Sequence, residues 1–94
     1  MPTYILLTTL TEGGAATIKK NPGRIKEVDR ELEGLGVKVV AQYAVLGPYD
    51  FVNIVEAPDN QAIVRASAEI ASRGSVRIQT MAAIPVDEFI AIFK

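Results

Sequence analysis

The sequence predicts one α+β domain in which four strands form an antiparallel sheet and two long helices cover one of its faces. Three observations carry this prediction. The 94 residues suit one domain, β-branched residues gather in short bursts, and glycine or proline separates these bursts from amphipathic segments. The resulting order over residues 1–94, β-α-β-β-α-β plus a short C-terminal helix, is the split-βαβ, ferredoxin-like arrangement. Right-handed crossovers place both long helices on the same face.

The N-terminal half consists of a predicted strand, Thr3 to Leu10, and a helix that proline interrupts. Thr11 is a suitable N-cap for the first helical part, Gly13 to Lys20. Asn21-Pro22 interrupts the helix, because proline lacks an amide proton, and a second helical part restarts at Pro22. That part ends at Gly36, where a left-handed residue is preferred. Its apolar residues recur at helical spacing: Ile25, Val28, Leu32 and Leu35.

The middle of the chain predicts a hairpin followed by a helix. Two β-rich runs, Val37 to Leu46 and Phe51 to Glu56, flank the dipeptide Gly47-Pro48, which is typical of an antiparallel hairpin. A helix capped by Asp59 then continues to about Arg73.

The C-terminal part predicts the last strand and a short helix. Gly74 stops the preceding helix, and Val76 to Ile84 alternates between two sides as a strand does. Pro85 then opens a terminal helix. Its apolar stripe is made of Val86, Phe89, Ile90 and Phe93.

The sheet has a second face that no segment of this order covers. A solvated face should be polar, yet the first strand divides into two partly apolar sets, Tyr4, Leu6, Thr8, Leu10 and Thr3, Ile5, Leu7, Thr9. Strict alternation in the second strand similarly gives Val37, Val39, Ala41, Tyr43, Val45 against Lys38, Val40, Gln42, Ala44, Leu46. An apolar second face usually marks an interface. We therefore expect a homodimer through the open sheet face, with a higher oligomer possible.

The composition excludes several classes of function. The chain has no Cys and no His, so we expect no metal site, no disulfide and no cofactor held by such ligands. A net charge of −1 lacks the basic excess of a nucleic-acid-binding protein. The uncharged run Val39 to Tyr49 is too short to span a bilayer, and the first residues lack the basic start of a signal peptide. We expect a cytoplasmic protein that binds neither nucleic acid nor membrane.

The turn Gly47-Pro48-Tyr49-Asp50 is the most individual motif. Asp50, at a strand start beside Tyr49, is a candidate proton acceptor or ligand-orienting carboxylate. Gly, Pro and Asp are also the residues that a tight turn requires, and an Asp side chain commonly accepts a hydrogen bond from a nearby backbone amide. The sequence favours this structural interpretation.

This turn resembles the signature of the GYD domain family, named for Gly-x-Tyr-Asp. The resemblance extends over essentially the whole chain, through Tyr4 to Leu7, Pro22 to Arg24, Leu35-Gly36, Leu46 to Val52, Glu56 to Asp59, Gly74 and Pro85 to Phe89. It implies a ferredoxin-like fold of the dimeric α+β barrel type. Because the molecular role of the family is generally undefined, the resemblance implies more about fold than about function.

Polar and amphipathic side chains on the predicted strands and the signature turn are candidates for a ligand-binding site. Small-molecule sites need a few polar anchors among apolar walls, and dimeric α+β barrels often hold small organic molecules between sheet and helices or at the dimer junction. Arg77 is the best anion anchor, since its planar fork matches carboxylates. The candidate set is Tyr4, Tyr43, Tyr49, Asp50, Asn53, Arg77 and Gln79.

Three functions remain open at this level. The leading interpretation is a homodimer that binds a small organic molecule, with catalytic residues unknown. A second is a cofactor-free enzyme similar to isomerases or monooxygenases of the dimeric α+β barrel type. There Tyr43 or Asp50 would assist proton transfer and Arg77 would hold an anionic substrate. The third is a structural or oligomeric accessory protein.

Overall fold

The computed structural model describes residues 1–94 and contains four strands and four helices. In chain order these are β1 (Thr3–Leu10), α1 (Glu12–Lys20), α2 (Arg24–Gly34), β2 (Lys38–Ala44), β3 (Phe51–Glu56), α3 (Asn60–Ala71), β4 (Val76–Ala83) and α4 (Val86–Ile92). The strands form one sheet in the order β2-β3-β1-β4, and every neighbouring pair is antiparallel. The predicted α+β fold class is confirmed, with the interrupted helix present as α1 and α2.

Two of the predicted helix caps form hydrogen bonds. The Thr11 hydroxyl accepts a hydrogen bond from the backbone N–H of Gly14 at 3.1 Å, which caps α1. The Asp59 carboxylate accepts one from Ala62 at 2.9 Å, which caps α3. These contacts satisfy amide groups that have no partner inside the helix, so the N-caps of both helices were correctly predicted from local sequence, and α1 begins at Glu12, one residue before the predicted Gly13.

The start of α1 lies against the segment that joins α3 to β4. The backbone N–H of Thr11 donates to the carbonyl of Ser75 at 3.0 Å, and its hydroxyl donates to the carbonyl of Gly74 at 2.7 Å. A Cβ atom at Gly14 would lie only 1.9 Å from the same Ser75 carbonyl oxygen. Only glycine therefore allows α1 to approach this segment so closely.

The hydrophobic core lies between one face of the sheet and helices α2 and α3. Residues of β1 on this face alternate with half-buried residues of the open face, as strand geometry requires. Few residues are buried, 11 of the 94. The core consists of Tyr4, Leu6, Leu32, Val37, Val55, Ala57, Ile63, Ala66 and Ile70.

A β-bulge in β2 changes which residues face the helices. The register between β2 and β3 shifts between Val39 and Ala41, so Val40 is an extra residue. Beyond the bulge, Gln42 lies on the helix-covered face and Tyr43 on the open one. The strict alternation predicted for the second strand is therefore wrong beyond Val39, because one inserted residue reverses every later side chain.

The open face of the sheet and helix α4 are uncovered. The centre of the open face is formed by five apolar residues, Ile5, Leu7, Val52, Ile54 and Met81. All residues of α4 are exposed. The molecule measures 51 Å along its longest axis, and its radius of gyration is 14.1 Å, against about 12.4 Å for a compact domain of this length. None of the helices has the length and apolar character needed to cross a membrane.

Candidate functional site

A cavity of about 140 Å³ lies between the helices and the covered face of the sheet. All four strands and helices α1 to α3 contribute to its wall, which is mostly apolar. An engineered cavity of about 150 Å³ with apolar walls holds a benzene molecule, so this cavity has the volume for a small organic molecule. Its apolar lining includes Leu6, Val28, Leu32, Ile63, Ala66 and Ile78.

Asn53 is the polar residue of greatest interest in this cavity. It lies on β3 opposite Leu6, on the helix-covered face. Its Nδ2 atom is 3.5 Å from the Thr8 hydroxyl, at the long limit of a hydrogen bond, and its Oδ1 atom is buried without any partner in the chain. Such an unpaired buried acceptor costs about 1–3 kcal/mol, so its retention calls for an explanation.

A second polar pair lines the cavity between α2 and β2. The Gln42 amide Nε2 donates to Asp29 Oδ1 at 2.9 Å. The other carboxylate oxygen of Asp29 is 3.7 Å from the ammonium group of Lys26. The β-bulge creates this contact by turning Gln42 inward, which strict alternation could not indicate.

A network of charged residues borders the cavity where α2 meets the end of α3. Arg24 Nη1 contacts Glu27 at 3.0 Å and Glu31 at 3.1 Å, and the second carboxylate oxygen of Glu31 pairs with Arg73. The hydrogen bond from Arg73, together with Arg24, holds the pKa of Glu31 below its ordinary value, although desolvation opposes this shift. Both arginines line the cavity, and both are engaged by carboxylates.

The pKa of Arg24 is shifted upwards. Hydrogen bonds to Glu27 and Glu31 raise it above the ordinary arginine value. The two carboxylates therefore favour the charged form of the guanidinium.

Asp50 of the signature turn connects two segments of backbone. Its Oδ2 atom accepts a hydrogen bond from the N–H of Leu10 at 2.7 Å, and its own N–H donates to the carbonyl of Thr8 at 2.8 Å. The carbonyl of Asp50 accepts from Val45 at 2.9 Å. These contacts attach the β2–β3 connection to the end of β1.

The remaining candidate residues lie outside the cavity, most of them on the open face of the sheet. The Tyr49 hydroxyl donates to Gln79 Oε1 at 2.8 Å, and Gln79 shares the open face with the exposed side chains of Tyr43 and Arg77. Tyr4 is buried on the covered face, where its hydroxyl donates to Asn60 Oδ1 at 2.6 Å at the start of α3.

Of the seven candidates, Asn53 alone lines the 140 Å³ cavity. Thr8, Gln42 and Asp29 were not among the candidates, yet they line it. Thr8 carried a detectable signal, because it is a polar residue in the otherwise apolar set of its strand. No three carboxylates come together in a way that would hold a metal ion.

The model of the GYD domain matches residues 4–93. The chain belongs to the GYD domain family. A curated relative of this GYD protein is the "Glutamine synthetase and cystathionine beta-lyase binding protein" of Thermus thermophilus. It is 62% identical over 95 aligned residues, which cover 100% of both chains.

Three solved structures share the fold of this GYD protein. TTHA0845 from Thermus thermophilus has a TM-score of 0.59 and 24% identity, and the match covers 90% of this chain and 95% of that one. FFRP-DM1 also has a TM-score of 0.59 and 24% identity, covering 89% and 100% of the two chains. The hypothetical protein PHS023 from Pyrococcus horikoshii has a TM-score of 0.56 and 25% identity, covering 90% and 92%. At these identities the likeness shows the fold.

Proposed function

We propose that this GYD protein is a homodimeric accessory protein that binds a partner enzyme and holds a small organic molecule in its internal cavity. The observation that carries the proposal is the relative that is 62% identical over its full length and is named for binding glutamine synthetase and cystathionine beta-lyase. Only 11 of the 94 residues are buried. An identity of 62% must therefore include many surface positions, and surface positions determine which partners bind.

The homodimer forms through the open sheet face. The accessible surface of the chain is 6385 Å², about 1,100 Å² more than expected for a compact monomer of 10.1 kDa. A standard interface buries about 800 Å² on each partner. The apolar centre of the open face is suited to a second copy, because two identical patches that face each other across a twofold axis form a closed dimer.

Helix α4 is the contact for the partner enzyme. Val86, Phe89, Ile90 and Phe93 recur at i, i+3, i+4 and i+7, the spacing by which an amphipathic helix binds a groove. Phe89 is 54% exposed and Phe93 is 76% exposed, and their rings lie 5.3 Å apart. Phenylalanine is among the residues that are enriched in the buried core of protein interfaces.

The geometry favours binding over the cofactor-free enzyme. Neither Tyr43 nor Asp50 lines the cavity, and the Asp50 carboxylate is engaged by the backbone of Leu10. Arg77 lies on the opposite face of the sheet from the cavity. A proton-transfer group and an anion anchor therefore do not converge on one enclosed site within the chain, as general acid–base catalysis requires.

The test uses the purified protein with glutamine synthetase and cystathionine beta-lyase from its own source organism. We expect at least one enzyme to co-elute with it in size-exclusion chromatography with light scattering. Phe89→Asp should abolish co-elution while the mass of the free protein remains that of a dimer. The matched control is Val64→Asp, which also places a charge at an apolar residue, on α3, that is 66% exposed. Failure of both enzymes to bind would contradict the accessory role, and a monomeric Phe89→Asp would place α4 in the homodimer instead.

A further inference from the structure

We propose that the cavity ligand is a small neutral molecule with an apolar body of about one benzene ring and a single hydroxyl group that hydrogen-bonds to Asn53. The inference rests on the proposed small-molecule role of the cavity and adds the chemical class of its ligand. The volume of the cavity indicates the size of the ligand, its unpaired polar atoms indicate the hydroxyl group, and its paired charges indicate that the ligand is neutral.

The size follows from the volume of the cavity. At about 140 Å³ it is close to the engineered cavity of about 150 Å³ that binds benzene. A nucleotide or a long acyl chain could not be held wholly within it. The walls are mostly apolar, so most of the ligand surface must be apolar to match them.

The hydroxyl follows from Asn53 and Thr8. The buried Oδ1 of Asn53 has no partner, and the Thr8 hydroxyl has only the 3.5 Å contact with Nδ2. A ligand hydroxyl donates a hydrogen bond to Asn53 Oδ1 and accepts one from the Thr8 hydroxyl, since a hydroxyl group is both a donor and an acceptor. If the Asn53 amide is turned over, so that Nδ2 takes the place of Oδ1, the ligand hydroxyl accepts from Nδ2 and donates to the Thr8 oxygen instead. An ether or a hydrocarbon lacks this property.

The neutrality follows from the charges around the cavity. Arg24 and Arg73, the two cationic residues that line it, are engaged by Glu31, and Arg24 also by Glu27. Asp29, the anionic residue in the lining, is engaged by Gln42 and Lys26. A charged ligand would lose its hydration without gaining a free counter-charge, which is costly.

The test compares three probes of similar shape, phenol, toluene and benzoate, by calorimetry and by amide chemical shifts of the full chain. We expect phenol to bind at least about tenfold more tightly than toluene, and benzoate more weakly than phenol. An apolar cavity alone would prefer toluene, because phenol has more hydration to lose. The unmodified protein therefore tests the proposal without any variant.

Two substitutions identify the residues responsible. Asn53→Leu should remove the preference for phenol while toluene still binds, and the matched control Asn21→Leu, at an exposed residue after α1, should leave the preference unchanged. Ala66→Leu should reduce the binding of every probe by filling the cavity. Thermal melts check that each variant is folded, and Asn53→Val serves as a second variant if Asn53→Leu does not fold.

The outcomes separate this inference from the proposed function. Toluene binding as tightly as phenol, with both lost in Ala66→Leu, would overturn the hydroxyl ligand while leaving a ligand-binding cavity. Benzoate binding more tightly than phenol would overturn the neutral ligand. Binding of no probe to the folded protein would overturn the inference and the small-molecule role together, and the enzyme-binding experiment would still test the accessory role separately.

Discussion

Glu31 of α2 pairs with Arg73, which lies two residues beyond the end of α3. Because Glu31 also binds Arg24 at 3.1 Å, one carboxylate connects the start of α2 to the α3–β4 connection. The pair spans 42 positions of sequence and borders the cavity. The pair therefore attaches α2 to the α3–β4 connection beside the cavity.

The Glu31 pairing predicts a dependence of stability on pH. Arg73 and Arg24 lower the pKa of Glu31 in the folded protein, so the pairing stabilises the fold above the unfolded-state pKa of about 4.3. This contribution is lost as the pH falls through the lower, folded-state pKa. Glu31→Gln should therefore lower the Tm at pH 7, and its Tm should approach that of the original protein at acidic pH.

The matched control for this prediction is Glu33→Gln. Glu33 lies on the same helix, is exposed and forms no ion pair. Its Tm should follow that of the original protein at every pH. If the difference in Tm between Glu31→Gln and the original protein stays constant between pH 7 and pH 3, the ion pairs of Glu31 do not account for that difference.

Replacing Asp50 should lower the stability of the fold without changing the binding of ligand in the cavity. Asp50→Ala removes the acceptor of the Leu10 N–H and should cost about 1–3 kcal/mol of unfolding free energy, measured by urea denaturation. Asp50→Asn keeps an oxygen acceptor and should cost less. Asp87→Ala, at an exposed residue of α4, should leave the unfolding free energy nearly unchanged. A stable Asp50→Ala that no longer binds phenol would instead assign Asp50 to the ligand site.

Two adjacent glycines of α1 predict opposite effects of the same substitution. A Cβ at Gly14 meets the Ser75 carbonyl at 1.9 Å, so Gly14→Ala must displace backbone and should destabilise by about 1–3 kcal/mol. A Cβ at Gly13 meets nothing within 4 Å. Gly13→Ala should stabilise by up to about 1 kcal/mol, since alanine favours a helix. Equal Tm values for the two variants would contradict the close approach of α1 to Ser75.

Leu7 tests the proposed homodimer. It lies at the centre of the open face, opposite Val52 and Gln79. Leu7→Glu should convert the dimer to a monomer of 10.1 kDa by light scattering, because two carboxylates would be buried close together across a twofold axis. Val64→Glu, at an exposed residue of α3, is the matched control. A dimer that persists in Leu7→Glu would place the interface elsewhere.

The order of the elements was predictable because its signals are local. The caps at Thr11 and Asp59 act over three residues, and the last two strands are bounded by breakers within a few positions. The structure begins β3 and β4 at Phe51 and Val76, where the sequence placed them. Asn53 was also predictable as a candidate, as a polar residue within a β-rich run.

The sequence by itself determined the order of strands and helices, their caps and the excess of apolar surface. The tertiary structure alone decided which polar groups meet at the cavity. The bulge after Val39 turns Gln42 inward, and Glu31 reaches Arg73 across 42 positions. Periodicity and capping are interactions between near neighbours in the chain, whereas strand register and long-range pairs depend on how distant segments pack. The unpaired Oδ1 of Asn53 belongs to this second class, because its surroundings exist only when β1, α2 and α3 are assembled around it.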